Sequence, residues 1–212
     1  MKANWNNFWQ SNIDSRFTKL SWSKRRIIEI LNPYMKRGIT ALDAGSGSGF
    51  FSRFFTDQGC KTYSLDYSEE ALAITRRQTE NRSEAYLCRN LLNRAFSDEF
   101  AGKFDLIFTD GLFEHFSYAE QNRIFEHFKI VKKREGVILT FVPNRYSFWT
   151  LIRPFFMPGI NEKPFTLAEL KNLYIKNNCR IIESGGINVF PFKYSPEKIG
   201  DKLGMLVYAI GR

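Results

Sequence analysis

The chain has 212 residues, enough for one domain and too few for two of ordinary size. With 43% hydrophobic and 25% charged residues it is neither disordered nor low in complexity. No stretch reaches the ~18–20 uncharged apolar residues that span a bilayer. The net charge, 31 − 22 = +9, admits an anionic partner such as nucleic acid, a membrane surface or an acidic substrate, without selecting one.

Phe alone accounts for 21 residues, so some are candidates for a pocket or a lipid-facing lip rather than the core. Cys60, Cys88 and Cys179 form no CxxC pair and have no zinc spacing. A reducing, cytoplasmic setting is the expectation. The N-terminal residues lack the continuous apolar run of a signal peptide, and a soluble protein is expected.

In chain order, residues 1–38 read as a helical N-terminal cap, with Trp5, Phe8, Trp9 and Phe17 in an irregular start. Its stronger helix is Leu20–Met35, which Asn32-Pro33 kinks or ends. From residue 39 to 142 strands and helices alternate. Strands are expected at Ile39–Asp43, Lys61–Asp66, Glu84–Arg89, Phe104–Thr109 and Gly136–Val142. Helices are expected at Phe50–Gln58, Ser68–Thr79 and Ala119–Lys132. Such alternation implies a parallel sheet covered on both faces. Residues 143–165 form an aromatic, Pro-containing, lid-like insertion. Residues 166–212 close the single domain with a helix opened by a Thr166/Glu169 capping box. The last two strands, Arg180–Ser184 and Met205–Ile210, are antiparallel neighbours. The class is α/β, a Rossmann-like seven-stranded sheet.

The most informative residues run from Ala41 to Phe50, where Asp43 and Ala44 lead into Gly45-Ser46-Gly47-Ser48-Gly49. Glycines let a backbone turn sharply and approach a ligand, and a strand-to-helix turn lies at the sheet edge where open α/β folds bind ligands. The G-x-G-x-G spacing is not the dinucleotide G-x-G-x-x-G, because Phe50 stands in the place of the third glycine. Asp43 would repel a pyrophosphate but suits the cationic aminoacyl end of S-adenosylmethionine. Asp66, at the end of the second strand, can accept both ribose hydroxyls. Tyr67 can pack on the adenine, Asn90 can accept from its N6 amine, and the Leu91 N–H faces the ring.

LDAGSGSG, SLDYSEEAL, FDLIFTDGLFEHF and REGVILTFVPN, in this order and spacing, resemble the class I S-adenosylmethionine-dependent methyltransferases. They are most similar to the "type 11" group that includes ubiquinone and menaquinone biosynthesis enzymes. The resemblance covers roughly Thr40 to Phe141. It implies the sheet order 3-2-1-4-5-7-6, with the last strand antiparallel, and S-adenosylmethionine converted to S-adenosylhomocysteine. It also places the Thr109-Asp110-Gly111 backbone beside the methionine moiety. Asn90 stands where many members carry Asp, which keeps an acceptor and loses a charge. The implied site is Asp43, Ala44, Gly45, Ser46, Gly47, Gly49, Asp66, Tyr67, Asn90, Leu91, Thr109, Asp110 and Gly111.

Methyl transfer is an in-line displacement that needs alignment first, and a base only where the acceptor loses a proton. His115 is the candidate base, because a free imidazole titrates near pH ~6.5. Glu-His at this place is common among members with different acceptors, so a positioning role stands beside it. No metal site is expected, and His127, in a polar helix, is read as solvated. The apolar residues from Phe148 to Met157 are expected to overhang the acceptor side, for a small, apolar or aromatic and conceivably lipid-like acceptor. Arg145 and Arg153 nearby admit contact with an anionic membrane, and the N-terminal aromatics close the cleft from the other side. The basic residues are scattered over helices and no base-methylation motif follows the fourth strand, so a nucleic-acid methyltransferase ranks second. A non-catalytic cofactor-binding protein on the same fold ranks third.

Overall fold

Alternate residues of Phe104–Asp110, the fourth strand, point to opposite faces of the sheet, as strand geometry requires, and both faces are covered. Leu106 and Phe108 join Ala41, Phe55, Leu139 and Phe141 under the N-terminal helix that carries Ile27 and Leu31. Ile107 joins Leu42, Leu65, Phe125, Phe128 and Tyr174 on the other face. The computed structural model describes residues 5–10, 16–156, 162–190, 192–196 and 199–212. Most of its phenylalanines fill these two layers.

The elements are α1 (Trp5–Gln10), α2 (Trp22–Leu31), β1 (Thr40–Ala44), α3 (Phe50–Asp57), β2 (Lys61–Asp66), α4 (Glu69–Gln78) and β3 (Ala85–Cys88). There follow α5 (Arg94–Glu99), β4 (Phe104–Asp110), α6 (Tyr118–Val131), β5 (Lys132–Pro143) and α7 (Trp149–Phe156). The chain closes with α8 (Leu167–Lys176), β6 (Ile181–Ile187), α9 (Gly200–Leu203) and β7 (Leu206–Gly211). The sheet order is β3-β2-β1-β4-β5-β7-β6, as expected. β1 to β5 run parallel, and β7 runs antiparallel between β5 and β6.

Local chemistry sets the helix ends. Ser68 caps α4 by accepting the Ala71 N–H, with Glu69 and Glu70 in the first turn and Arg76 and Arg77 in the last. Capping boxes open α6 at Ser117/Glu120 and α8 at Thr166/Glu169, the latter as read from sequence.

The differences from expectation have physical reasons. The aromatic start is a short helix, α1, because Trp9 buries itself against Ala71 and Ile74. The predicted helix from Leu20 stops at Leu31, where Asn32-Pro33-Tyr34 tightens into a 3₁₀ turn. α5 is six residues long, too short to show a period, and is started by Asn93, which accepts the Ala95 N–H. β5 begins at Lys132 rather than Gly136; its first residues are largely exposed and carry no apolar signal. The aromatic stretch after Pro143 contains α7.

Candidate active site

The turn after β1 is fastened from beneath. The Gly45 and Ser46 N–H groups donate to the Leu65 carbonyl at 2.8 and 2.9 Å, tying the turn to the end of β2. The Gly47 N–H donates to Asp66 Oδ2 at 2.9 Å, and the Ser68 N–H donates to Oδ1 at 2.9 Å. Asp66 therefore holds the turn as well as facing the cavity. Gly45, Gly47 and Gly49 take φ of 81°, 48° and 73°, which side chains disfavour. A Cβ on Gly47 would lie 2.7 Å from Trp9 Cζ2, and one on Gly49 would lie 2.6 Å from the Thr75 Cα. The third glycine thus lets α3 approach α4, a packing need separate from any ligand.

Asp43 lies buried under the turn. Ser52 Oγ donates to its Oδ2 at 2.6 Å, and Ser64 Oγ donates to Ser52 Oγ at 2.8 Å. Burial, more than any neighbour, pushes the Asp43 carboxyl up to about 7. Burial also raises Asp110 to about 6, against the opposing pull of the Lys24 ammonium. Lys24 is drawn down to about 8, again mainly by burial. Its Nζ donates to the Phe17 and Lys19 carbonyls and sits 4.1 Å from the Phe50 ring centroid. Asp66 is raised by burial, with the opposing N–H donors of Ser68, Gly47 and Tyr67 limiting the shift. Three acids thus lie at one sheet edge, each disfavoured as an anion by burial, and of the three Asp66 lines the cavity.

A cavity of about 660 Å³ opens beside the turn. Of the residues predicted for the site, Gly45, Gly47, Asp66, Tyr67, Asn90, Leu91 and His115 line it. Asp43 and Ala44 end β1 beneath the turn and Ser46 lies within it, and all three are buried. Gly49 caps α3, and Thr109 is fully buried. Asp110 and Gly111 end β4, where the Gly111 N–H donates to the Phe141 carbonyl at 3.0 Å. Asn90 Oδ1 accepts the Leu92 N–H at 3.0 Å, which fixes its side chain in the loop.

The opposite wall is the turn Phe113–His115, pinned by Gln121 Nε2, which donates to the Phe113 and Phe116 carbonyls at 3.0 Å each. Glu114 is buried, and its Oε1 lies 4.0 Å from His115 Nε2. The Lys163 N–H donates to the Glu114 carbonyl at 2.9 Å, bringing Glu162 alongside. Ligand atoms of Glu114, His115 and Glu162 lie within 4.8 Å of one another, a donor set that one divalent ion could bridge. The Trp5 ring stands edge-on to His115 with centroids 4.6 Å apart.

Sequence reasoning passed over Leu112, whose Cδ1 comes within 3.1 Å of where a Gly45 Cβ would be. It also passed over Glu162, a lone acid with no motif around it. His127 is a correction: it is buried, not solvated. Its Nδ1–H donates to the Leu91 carbonyl at 2.7 Å and so braces the cavity wall from behind. From the predicted lid, the described residues that reach the cavity are Glu162 and Lys163; Phe148, Leu151 and Ile152 are exposed. Phe155 can be assigned only to α7, and Met157 lies outside the described residues.

Residues 42–140 match the family model of the methyltransferase domain. No curated protein matches the chain by sequence. Solved structures do match in fold. A SAM-dependent methyltransferase from Anabaena variabilis superposes with a TM-score of 0.72 at 15% identity, covering 100% of this chain and 97% of the other. The Burkholderia thailandensis 1,6-didemethyltoxoflavin-N1-methyltransferase, with its acceptor and S-adenosylhomocysteine bound, gives 0.69 at 18%, covering 98% and 86%. The magnesium protoporphyrin IX methyltransferase of Synechocystis PCC 6803, with bound SAH, gives 0.65 at 14%, covering 88% and 80%. Residues 42–140, set in the seven-stranded order found above, carry a methyltransferase domain, and the fold is that of S-adenosylmethionine-dependent methyltransferases.

Proposed function

We propose that the protein methylates a small, apolar or aromatic acceptor, lipid-like acceptors included, by in-line transfer from S-adenosylmethionine. The observation that carries this reading is the single cavity that joins Gly47 and Asp66 on one wall to His115 and Trp5 on the other. Donor and acceptor can therefore share one cavity, the first requirement of a displacement that depends on alignment. The neighbours from Burkholderia and Synechocystis are named for 1,6-didemethyltoxoflavin and magnesium protoporphyrin IX, which supports a small-molecule acceptor.

In this reading Asp66 accepts the ribose hydroxyls, Tyr67 covers the adenine, and Asn90 and Leu91 line the base. His127 holds Leu91 in place. The turn Ala44 to Gly49 receives the aminoacyl end, with Asp43 buried beneath it as a backing charge, and the Thr109-Asp110-Gly111 backbone passes the methionine moiety. The acceptor atom attacks the methyl carbon as the C–S bond breaks. The electron pair stays on sulfur, and S-adenosylhomocysteine leaves as a neutral thioether. Where the acceptor is an O–H or N–H, its proton passes to His115, which Trp5 and Glu114 orient.

Incubation with S-adenosylmethionine and a panel of phenols, N-heteroaromatics and prenylated quinols tests the reading. It predicts S-adenosylhomocysteine and an acceptor heavier by one methylene. Turnover on RNA alone, with none on the panel, would contradict it.

A further inference from the structure

Three segments leave or border the carboxyl edge of the sheet with apolar side chains turned to solvent. The first is the approach to α7. Phe148, Leu151 and Ile152, at i, i+3 and i+4, form one ridge and are 63%, 71% and 48% exposed. This ridge faces water rather than the cavity, which none of the three lines. Its base is fixed: the Trp149 N–H donates to Ser147 Oγ at 3.1 Å, and Asn144 Nδ2 donates to the Lys202 and Gly204 carbonyls.

The second segment is the connection from β6 to β7. Phe190 and Phe192 stack with centroids 5.3 Å apart, and Tyr194 is largely exposed. Pro143 of β5 and Ile187 of β6 both pair with Leu206 of β7, so the two segments emerge on either side of a single strand. That spacing is about 10 Å. The third segment is the start of α2. Arg26 Nη2 donates to the Lys193 carbonyl at 3.3 Å, joining α2 to the β6–β7 connection. Leu20 and Trp22 are exposed beside it.

Charge decides the occupant. Residues 19–26, 144–152 and 188–196 contain Lys19, Lys24, Arg25, Arg26, Arg145 and Lys193 and not one Asp or Glu. Arg145 pairs with Glu169 of α8, and Lys24 is turned inward, which leaves Lys19, Arg25, Arg26 and Lys193 as the remaining cations of these stretches. Apolar side chains flanked by cations, with acids confined to the far end of the β6–β7 connection at Glu197 and Asp201, match the boundary of an anionic bilayer, where rings enter the interface and cations meet phosphates. A second copy of this chain would bring the same positive rim against itself.

We propose that this rim docks the protein on an anionic phospholipid bilayer, with the carboxyl edge of the sheet turned to the membrane. Uptake of an apolar acceptor directly from the bilayer follows if the acceptor reading above holds; the docking itself does not depend on it.

Flotation of the full chain with phosphatidylcholine vesicles, and with vesicles that also contain phosphatidylglycerol, tests the proposal. The wild type floats with the anionic vesicles, and the bound fraction falls in high salt. The double variant Leu151→Glu/Ile152→Glu loses binding by roughly tenfold or more, and Lys193→Glu loses less. Calorimetry with S-adenosylmethionine, run on the same samples, is unchanged by these surface substitutions and tests the methyltransferase reading separately. A wild type that stays with the soluble fraction would overturn the proposal, as would a double variant that floats like the wild type. So would light scattering that shows a dimer broken by the double variant while neither form floats, which would assign the ridge to a second copy.

Discussion

The proposed donor end of the cleft and its outer rim are built from opposite materials. At the donor end the turn is fixed by backbone N–H groups on Leu65 and Asp66, and its acids are buried and raised. At the rim, large apolar groups such as Leu151 and Phe192 are exposed. A site that binds one fixed cofactor gains from pre-organised donors and acceptors, because ordering costs are met on folding. A surface that meets a fluid or variable partner needs accessible apolar area instead. The contrast explains why the cofactor is readable from this chain and the acceptor is not.

Substitutions at the two ends should differ most in stability. Gly49→Val sets a branched side chain at φ +73° with its Cβ 2.6 Å from the Thr75 Cα. A loss of about 3 kcal/mol or more is expected from strain and overpacking, measured by urea unfolding. If Gly49→Val were neutral, the α3–α4 contact would not be the constraint described.

His115→Asn separates the two ends kinetically. It should lower kcat by ~10²–10⁴-fold on a proton-losing acceptor, with the S-adenosylmethionine affinity nearly unchanged. An equal loss of cofactor affinity would move His115 to the donor end.

A pH series sharpens the comparison further. In the empty protein, burial lifts Asp43 to about 7 and Asp110 to about 6. A raised carboxyl favours the empty fold at low pH, an advantage lost as pH rises through these values. A cationic ligand favours the anions, so its binding releases protons and tightens as pH rises through the same window. Calorimetry should find the dissociation constant roughly tenfold weaker well below pH ~6 than at pH ~8. A flat profile would remove the acids from the donor end.

The smallest effect belongs to the rim. Leu151→Ser, at a position 71% exposed, should change stability by no more than about 0.5 kcal/mol.

The fold and the geometry of the turn at the proposed donor end were legible because their signals are local. Strand-turn-helix spacing marks the Gly45–Gly49 turn, and an acid at a strand end marks Asp66. What escaped depends on distant partners. His127 follows Glu126 in α6, and the Leu91 carbonyl, 36 residues away, gives its polar ring a partner when buried. Trp9 and Thr75 explain two glycines that the sequence alone suggests are for a ligand. Glu162 reaches the Glu114–His115 turn through the Lys163 backbone, a contact no period or spacing encodes.

The most direct test of the central claim is titration calorimetry with S-adenosylmethionine, and separately NADH, on the wild type and Asp66→Ala. The account predicts that the wild type binds S-adenosylmethionine and not NADH, and that Asp66→Ala abolishes binding while the protein stays folded. Binding of NADH by the wild type, or S-adenosylmethionine affinity untouched by Asp66→Ala, would contradict it.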